Sequence, residues 1–236
     1  MIIDTNFNFY SDAKGGDPDS TSPTLRKYHK ILWSKTLPNG KTFNLCDYRS
    51  GLYHKSELGE FFLGSDAITH SYKNHERKKW LTKQIPNEVD ELFDAGSTIG
   101  AYIIFPNNRI DGKPTINQAR GVNSLIDDRF DLTLECIRLF YLGQKSPLYD
   151  TLLRYKNFFD LFDNFIDYIH FFLLEDLIDE NEKIKFYLPF NNFETPPKFS
   201  DTNDYLSYKK GVMEFILSRN SAITEWSKAL YNQSSM

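Results

Sequence analysis

The segment DDRFDLTLECIRLFYLG, residues 127–143, separates two parts of the chain that differ in their sequence pattern. Within it, apolar residues recur at the three- and four-residue spacing of an amphipathic helix: Phe130, Leu134, Ile137 and Tyr141. Gly143 follows and is a residue type that commonly ends helices. Strand signals lie mainly before this segment and helix signals mainly after it. The sequence therefore predicts an α+β fold.

Residues 1–115 are predicted to form a β-rich layer that contains one short helix. A Ser-Pro pair at 22–23 marks the start of that helix, which should extend to about Trp33. An Asn-Gly pair at 39–40 lies between alternating stretches and predicts a hairpin. The apolar run TIGAYIIFP, residues 98–106, predicts a buried strand.

The part from residue 116 to residue 236 is predicted to form a mostly helical layer. A wide apolar stripe between residues 158 and 172 predicts a long helix with one break, buried on more than one side. A strand is expected at 184–188 and a final helix at 205–231. Because no repeat or low-complexity linker divides the chain, residues 1–236 are expected to form one domain of two layers.

Composition places the chain among globular proteins. Of its 236 residues, 40% are apolar and 25% are charged, which excludes the disordered and collagen-like classes. Its 20 Phe, 14 Tyr and 3 Trp residues predict a core built from large rings. The sequence shows no signal-peptide pattern and no membrane span, and its two cysteines, Cys46 and Cys136, have no metal-ligand spacing. We therefore expect a cytoplasmic protein with reduced cysteines.

Charge is distributed unevenly along the chain, whose net charge is −4. Between residues 20 and 83, twelve Lys and Arg residues accompany five Asp and Glu residues, so this stretch carries +7 and the remainder carries −11. Such an asymmetry is typical of a region that meets an anionic partner. The alternatives are that the two halves dock on each other or that the charges are simply solvated.

The first candidate site lies in this positive region. Cationic side chains contact phosphates and indole rings stack on bases, so the region predicts binding of a nucleic acid or a phosphorylated ligand. The alternative is that Trp33 and Trp80 are core residues. The candidate binding residues are Arg26, His29, Lys30, Trp33, Arg77, Lys78 and Lys79.

The second candidate site is the polar face of the helix predicted near residue 130. Carboxylates at spacings of three and four would share one face, where they could hold a divalent metal or pair a general acid with a general base. This arrangement indicates a metal-dependent hydrolase or phosphodiesterase, and its alternative is a solvated helix face. The candidate catalytic residues are Asp128, Asp131 and Glu135, with Arg120 and Arg129 as cationic stabilisers.

Motifs that would identify an enzyme class are absent from the sequence. It contains no GxGxxG, no P-loop and no GxSxG elbow. Four of the five histidines fall between residues 29 and 75, but they lack the i, i+4 pairing and the cysteines of common zinc sites. Apart from the acidic residues of the second candidate site, the sequence thus predicts no metal ligand, and it predicts no cofactor. It leaves open both the oligomeric state and whether the chain is an enzyme.

Four local strings of the sequence are specific: SPTLR at 22–26, LWSK at 32–35, LGEF at 58–61 and DRFDLTLECIR at 128–138. With these strings the chain resembles a family of uncharacterised bacterial proteins. The resemblance extends from about residue 4 to residue 219 and implies a cytosolic bacterial protein. It brings no activity, substrate or cofactor.

Overall fold

The computed structural model describes residues 2–233 of the chain and has an α+β fold, as the sequence predicts. Its four strands are β1 (Cys46–Tyr48), β2 (Gly51–Ser56), β3 (Gly59–Ala67) and β4 (Tyr102–Pro106). The helices before residue 100 are α1 (Pro18–Thr21), α2 (Pro23–Trp33), α3 (Lys79–Thr82) and α4 (Pro86–Ala95). Those after it are α5 (Ile116–Val122), α6 (Phe130–Tyr141), α7 (Tyr149–Arg154), α8 (Lys156–Phe159), α9 (Phe165–Phe172) and α10 (Thr202–Gln233).

The strands form one antiparallel sheet in the order β1-β2-β3-β4. Leu52 of β2 pairs with Leu63 of β3, which in turn pairs with Pro106 of β4. Because residues that pair directly on neighbouring strands point to the same side of a sheet, Leu52 and Leu63 share one face and are buried there. Strand β4 is buried on both sides, and this explains its uninterrupted apolar sequence.

Aromatic rings fill the helical part of the core. Phe162 lies between α8 and α9 and is 1% exposed. Its ring centroid is 5.0 Å from that of Phe171 and 5.4 Å from that of Tyr168, and both contacts are tilted or edge-on. Such offset contacts are the favoured arrangement of aromatic pairs. The aromatic-rich composition therefore corresponds to a ring-packed core.

The long helix predicted between residues 158 and 172 is interrupted by a turn. Helix α8 ends at Phe159, and Asn164 then caps α9 by accepting hydrogen bonds from the backbone N–H groups of Ile166 and Asp167. A side chain that caps a new helix start favours an interruption at that point. The apolar stripe is nevertheless buried, because both segments face the same core.

The strand predicted at 184–188 does not form. Only an isolated bridge joins Ile184 to Ile178. The backbone N–H of Tyr187 donates instead to the buried carboxylate of Asp131, at 3.0 Å. The segment is thus held by a side chain from α6 rather than by a sheet neighbour. The strand predicted at 98–106 forms only from Tyr102, because residues 99–101 adopt a 3-10 helix.

Helix α10 joins the sheet to the helices through one buried cation. The Arg219 guanidinium donates to the carbonyl oxygens of Gly100 at 2.9 Å, Tyr102 at 2.8 Å and Phe172 at 2.9 Å. Burial lowers the pKa of Arg219 to about 10, so it is charged at neutral pH. Although α10 is long, no helix within residues 2–233 is apolar enough over sufficient length to cross a membrane.

Candidate functional site

The three carboxylates predicted on one helix face have separate environments. Helix α6 begins at Phe130, so Asp128 precedes it and does not share its face. Asp131 is fully buried and accepts hydrogen bonds from Arg129. Glu135 is paired with Arg138 through bonds of 2.7 and 2.8 Å. Asp131 and Glu135 are therefore held by structural ion pairs, and neither shares a helix face with Asp128.

Arg120 is a fully buried cation that holds the backbone around Asp128. It donates to the Asp66 carboxylate at 3.1 Å, to the Ala67 carbonyl at 3.0 Å and to the Asp128 carbonyl at 2.8 Å. Its Nε also donates to the Thr133 hydroxyl, at 3.3 Å. A guanidinium with this many protein acceptors is a positioning group rather than an open anion site.

The turn before α6 has an unusual backbone conformation. Asp127 and Asp128 have φ values of 48° and 61°, in the left-handed region that costs most residues energy. The Asp127 carbonyl accepts from the Tyr72 hydroxyl at 3.1 Å, and its carboxylate pairs with Lys78. Together with the bond from Arg120, these contacts fix the position of the Asp128 side chain.

This turn brings Asp128 next to two histidines. Ligand atoms of His70, His75 and Asp128 all lie within 4.8 Å of one another, and among residues 2–233 they form the one such group that could hold a metal ion. His70 Nε2 is 3.8 Å from Asp128 Oδ1. An ion at their centre would be within about 2.8 Å of each atom, compared with the usual ligand distances of about 2.0–2.2 Å. Small side-chain rotations would therefore bring the three ligand atoms to coordination distance of one ion.

The two histidines are supported by their surroundings. The Tyr208 hydroxyl donates to the His70 carbonyl at 3.0 Å, and the Tyr72 ring meets the His75 ring edge-on at 5.2 Å. Burial lowers the pKa of His70 to about 4; the Asp128 charge opposes this shift. The His70 imidazole is therefore neutral at neutral pH, which is the form that binds metals.

A polar cavity of about 430 Å³ opens beside His70 and His75. Asp19 and Thr69 also line it, and the atoms Asp19 Oδ1 and Thr69 Oγ1 are buried there without a hydrogen-bond partner in the described residues. Burial, followed by the neighbouring carboxylates of Asp66 and Asp17, raises the pKa of Asp19 well above its usual value. Protonation of Asp19 is thus more favourable than that of an exposed aspartate.

His75 also lines a second concave surface, a groove of about 690 Å³. Arg77, Lys78 and Lys198 line it together with Trp80. The indole of Trp80 is 52% exposed, so its prediction as a core residue is wrong. Lys79 does not line this groove and pairs with Glu76. Two of the three consecutive cations predicted as binding residues, Arg77 and Lys78, therefore share one concave surface.

The predicted binding residues of α2 do not share such a surface. His29 and Trp33 are fully buried, and the Trp33 indole donates to His29 Nδ1 at 2.8 Å. This confirms the alternative prediction that Trp33 is a core residue. On the outer side, Lys30 pairs with Asp47 and Arg26 donates to the Ser20 carbonyl at 3.2 Å. The two cations of α2 that were predicted as binding residues are thus engaged locally.

The sequence pattern did not identify His70 or His75 as metal ligands, or Asp19 as a site residue. The two histidines are five residues apart in a non-helical segment, so no regular spacing relates their side chains. The available signal was the local concentration of histidines before residue 76. Asp19 lies in a Gly-, Asp- and Ser-rich stretch whose composition indicates a loop, and only the folded structure buries it.

Comparisons with known proteins agree with the resemblance stated above. A search of curated proteins and a search of solved structures found no match. A family model described as a family of unknown function (DUF6994) matches residues 3–223. The matched range includes the His70, His75 and Asp128 cluster, the cavity and the groove. The chain therefore belongs to this family of unknown function, DUF6994.

Proposed function

We propose that the protein binds a divalent transition metal at His70, His75 and Asp128 and uses it to activate water in a hydrolytic reaction. The observation that carries this proposal is the mutual distance of at most 4.8 Å among the three ligand atoms. Two imidazoles and one carboxylate suit zinc and related first-row metals. The proposal retains the predicted metal-dependent hydrolase but replaces the predicted acidic ligand set.

The number of ligands supports a catalytic rather than a purely structural metal. Three protein ligands leave a coordination position for water, whose pKa a zinc ion lowers to about 7. The bound hydroxide would attack the substrate, and the bond to the leaving group would break. Asp19, which lines the cavity beside the two histidines, could donate its proton to that leaving group. Arg120 would act as a positioning residue for Asp128.

The cellular location of the enzyme and the class of its partner are part of the same proposal. We place the enzyme in the bacterial cytoplasm, in line with the family resemblance. The free thiols of Cys46 and Cys136 support a reducing compartment.

An anionic partner, either a nucleic acid or a phosphorylated ligand, is also retained, and the unequal charge distribution supports it. Arg26, Lys30 and Lys79 have local acceptors, so the groove beside His75 is the surface on which such a partner is proposed.

Zinc is expected to stabilise the folded protein through this cluster. At a zinc concentration about 100 times Kd, binding adds about 2.7 kcal/mol, which raises Tm by about 5–10 °C for a chain of this size. His75→Ala and Asp128→Asn should abolish the rise, as measured by calorimetry against protein treated with EDTA. His170→Ala, at an exposed histidine, is the control and should respond like the wild type. An equal rise in wild type and His75→Ala would contradict the proposed ligand set.

Gly121→Ala tests whether the position of Asp128 matters. A Cβ atom at Gly121 would lie 3.3 Å from both carboxylate oxygens of Asp128 and would displace them slightly. Because alanine favours helix α5 by about 1 kcal/mol, we expect no loss of stability in EDTA. Zinc affinity should fall about 10-fold, since groups that orient a ligand typically have effects of about this size. Val122→Ala, at the exposed neighbouring position, should leave zinc affinity unchanged.

A further inference from the structure

The groove beside His75 has a composition that the proposed metal centre does not explain. We name it the basic groove, and it is lined by His75, Arg77, Lys78, Trp80, Lys198 and Phe199, among others. Its volume of about 690 Å³ is within the range of small-molecule sites. Since His75 lines both the basic groove and the cavity, a ligand in the basic groove would lie beside a proposed metal ligand.

The basic groove contains uncompensated positive charge. Lys78 pairs with Asp127, and Glu76, which also lines the groove, pairs with Lys79 outside it. Arg77 and Lys198 are exposed and have no ion pair among residues 2–233. Arg77 and Lys198 thus supply free donors on the lining of one groove, and Arg and Lys side chains make charge-assisted hydrogen bonds to phosphates.

The basic groove also contains an apolar ring that lacks a partner. The Trp80 indole is 52% exposed and has no ring contact among the described residues. Burial in the core would stabilise a side chain this large and apolar. Its exposure on a groove wall therefore indicates a surface available to a ligand. An indole at the edge of a cationic groove offers a stacking surface for a planar ring, as in proteins that bind nucleic-acid bases.

We propose that the basic groove binds a nucleotide unit, with its base stacked on Trp80 and its phosphate held by Arg77 and Lys198. Resting on the proposed function, this inference makes a nucleotide phosphate ester the bond that the metal centre hydrolyses. A metal held by His70, His75 and Asp128 would activate a water molecule for attack on phosphorus. The water oxygen would bond to phosphorus, the ester P–O bond would break, and the leaving oxygen would take up the proton that the water released. The nucleotide unit is either a free nucleotide or part of a single strand.

Binding of AMP to the metal-free, full-length protein tests the groove without the metal. By calorimetry in EDTA, AMP should bind at least 10-fold more tightly than ribose 5-phosphate, which lacks the base, or adenosine, which lacks the phosphate. Trp80→Ala should weaken AMP binding about 10-fold and leave ribose 5-phosphate unaffected. The double variant Arg77→Ala/Lys198→Ala should weaken binding of both phosphates, reduce their dependence on salt and leave adenosine unaffected.

Matched controls separate this proposal from the metal centre. Lys113→Ala removes an exposed cation elsewhere and should bind AMP like the wild type. His75→Ala should abolish hydrolysis of the dinucleotide ApA by zinc-loaded protein, while Trp80→Ala should raise KM for ApA. Tighter binding of a six-base single strand than of AMP would assign the nucleotide unit to a polymer, and the reverse order would assign it to a free nucleotide.

Two results would distinguish failure of the nucleotide proposal from failure of the proposed hydrolytic function. If AMP does not bind, or binds wild type and both groove variants equally, the nucleotide proposal is overturned even where zinc binds as expected. If AMP binding depends on Trp80, Arg77 and Lys198 but zinc does not bind, nucleotide binding stands and the hydrolytic function is overturned.

Discussion

Phe162→Ala is expected to lower the free energy of unfolding by about 3–5 kcal/mol. The ring is 1% exposed, and its neighbours include Tyr168, Phe171 and Phe172 at centroid distances of 5.0–5.6 Å. These rings cannot collapse fully into the space that the truncation leaves, so a cavity adds to the lost transfer free energy. Urea unfolding followed by circular dichroism measures the difference. A loss of this size is a large fraction of the stability of most domains, which is about 5–15 kcal/mol.

Glu182→Ala provides the comparison for that experiment. Glu182 is exposed and lies in a turn where its φ is 59°, a conformation about equally unfavourable for glutamate and alanine. The substitution should therefore change the free energy of unfolding by no more than about 0.5 kcal/mol. If Phe162→Ala and Glu182→Ala unfold at the same urea concentration with the same slope, the placement of the aromatic core is wrong.

Acidification is expected to destabilise the protein through His29, beginning near pH 6.5. The Trp33 indole can only donate, so His29 Nδ1 must accept that bond, and the proton on Nε2 is donated to the Ser65 hydroxyl. Burial, with a smaller contribution from the charge of Arg219, lowers the pKa of His29 to about 3. Below pH 6.5 the unfolded chain takes up a proton that the folded chain does not. Stability from this group should fall by about 1.4 kcal/mol per pH unit until about pH 3.

His29→Gln isolates this contribution from that of the carboxylates. A glutamine can accept from Trp33 and donate to Ser65, but it does not titrate. We expect the difference in unfolding free energy between wild type and His29→Gln to change by about 2–3 kcal/mol between pH 6.5 and pH 4.5 in favour of the variant. Parallel pH profiles for the two proteins would contradict a neutral buried His29.

Elements encoded by local pattern were predictable from the sequence. The helix over residues 130–141 follows from apolar spacing, and the start of α2 follows from the cap and proline at 22–23. The strand predicted at 184–188 failed because Tyr187 bonds to Asp131, a contact over 56 residues that local pattern does not encode. Local preference was overridden there by a tertiary hydrogen bond.

The proposed metal ligands could not have been identified in the same way. Asp128 was assigned to a helix face, but the left-handed turn at residues 127 and 128 directs it elsewhere. That turn depends on Tyr72, Lys78 and Arg120, two of which lie about 50 residues away in sequence. A ligand set that spans a loop and a strained turn requires the folded structure to bring it together.

The bonds of Arg219 also constrain when the protein can complete its fold during synthesis. The carbonyl group of Tyr102 emerges from the ribosome 117 residues before the guanidinium that will bind it. At about 5–20 residues per second, the nascent chain spends on the order of ten seconds with these acceptors open to water. The sheet and the C-terminal end of α9 therefore obtain these hydrogen bonds only after residue 219 has been translated, so the contact between them is completed late in synthesis.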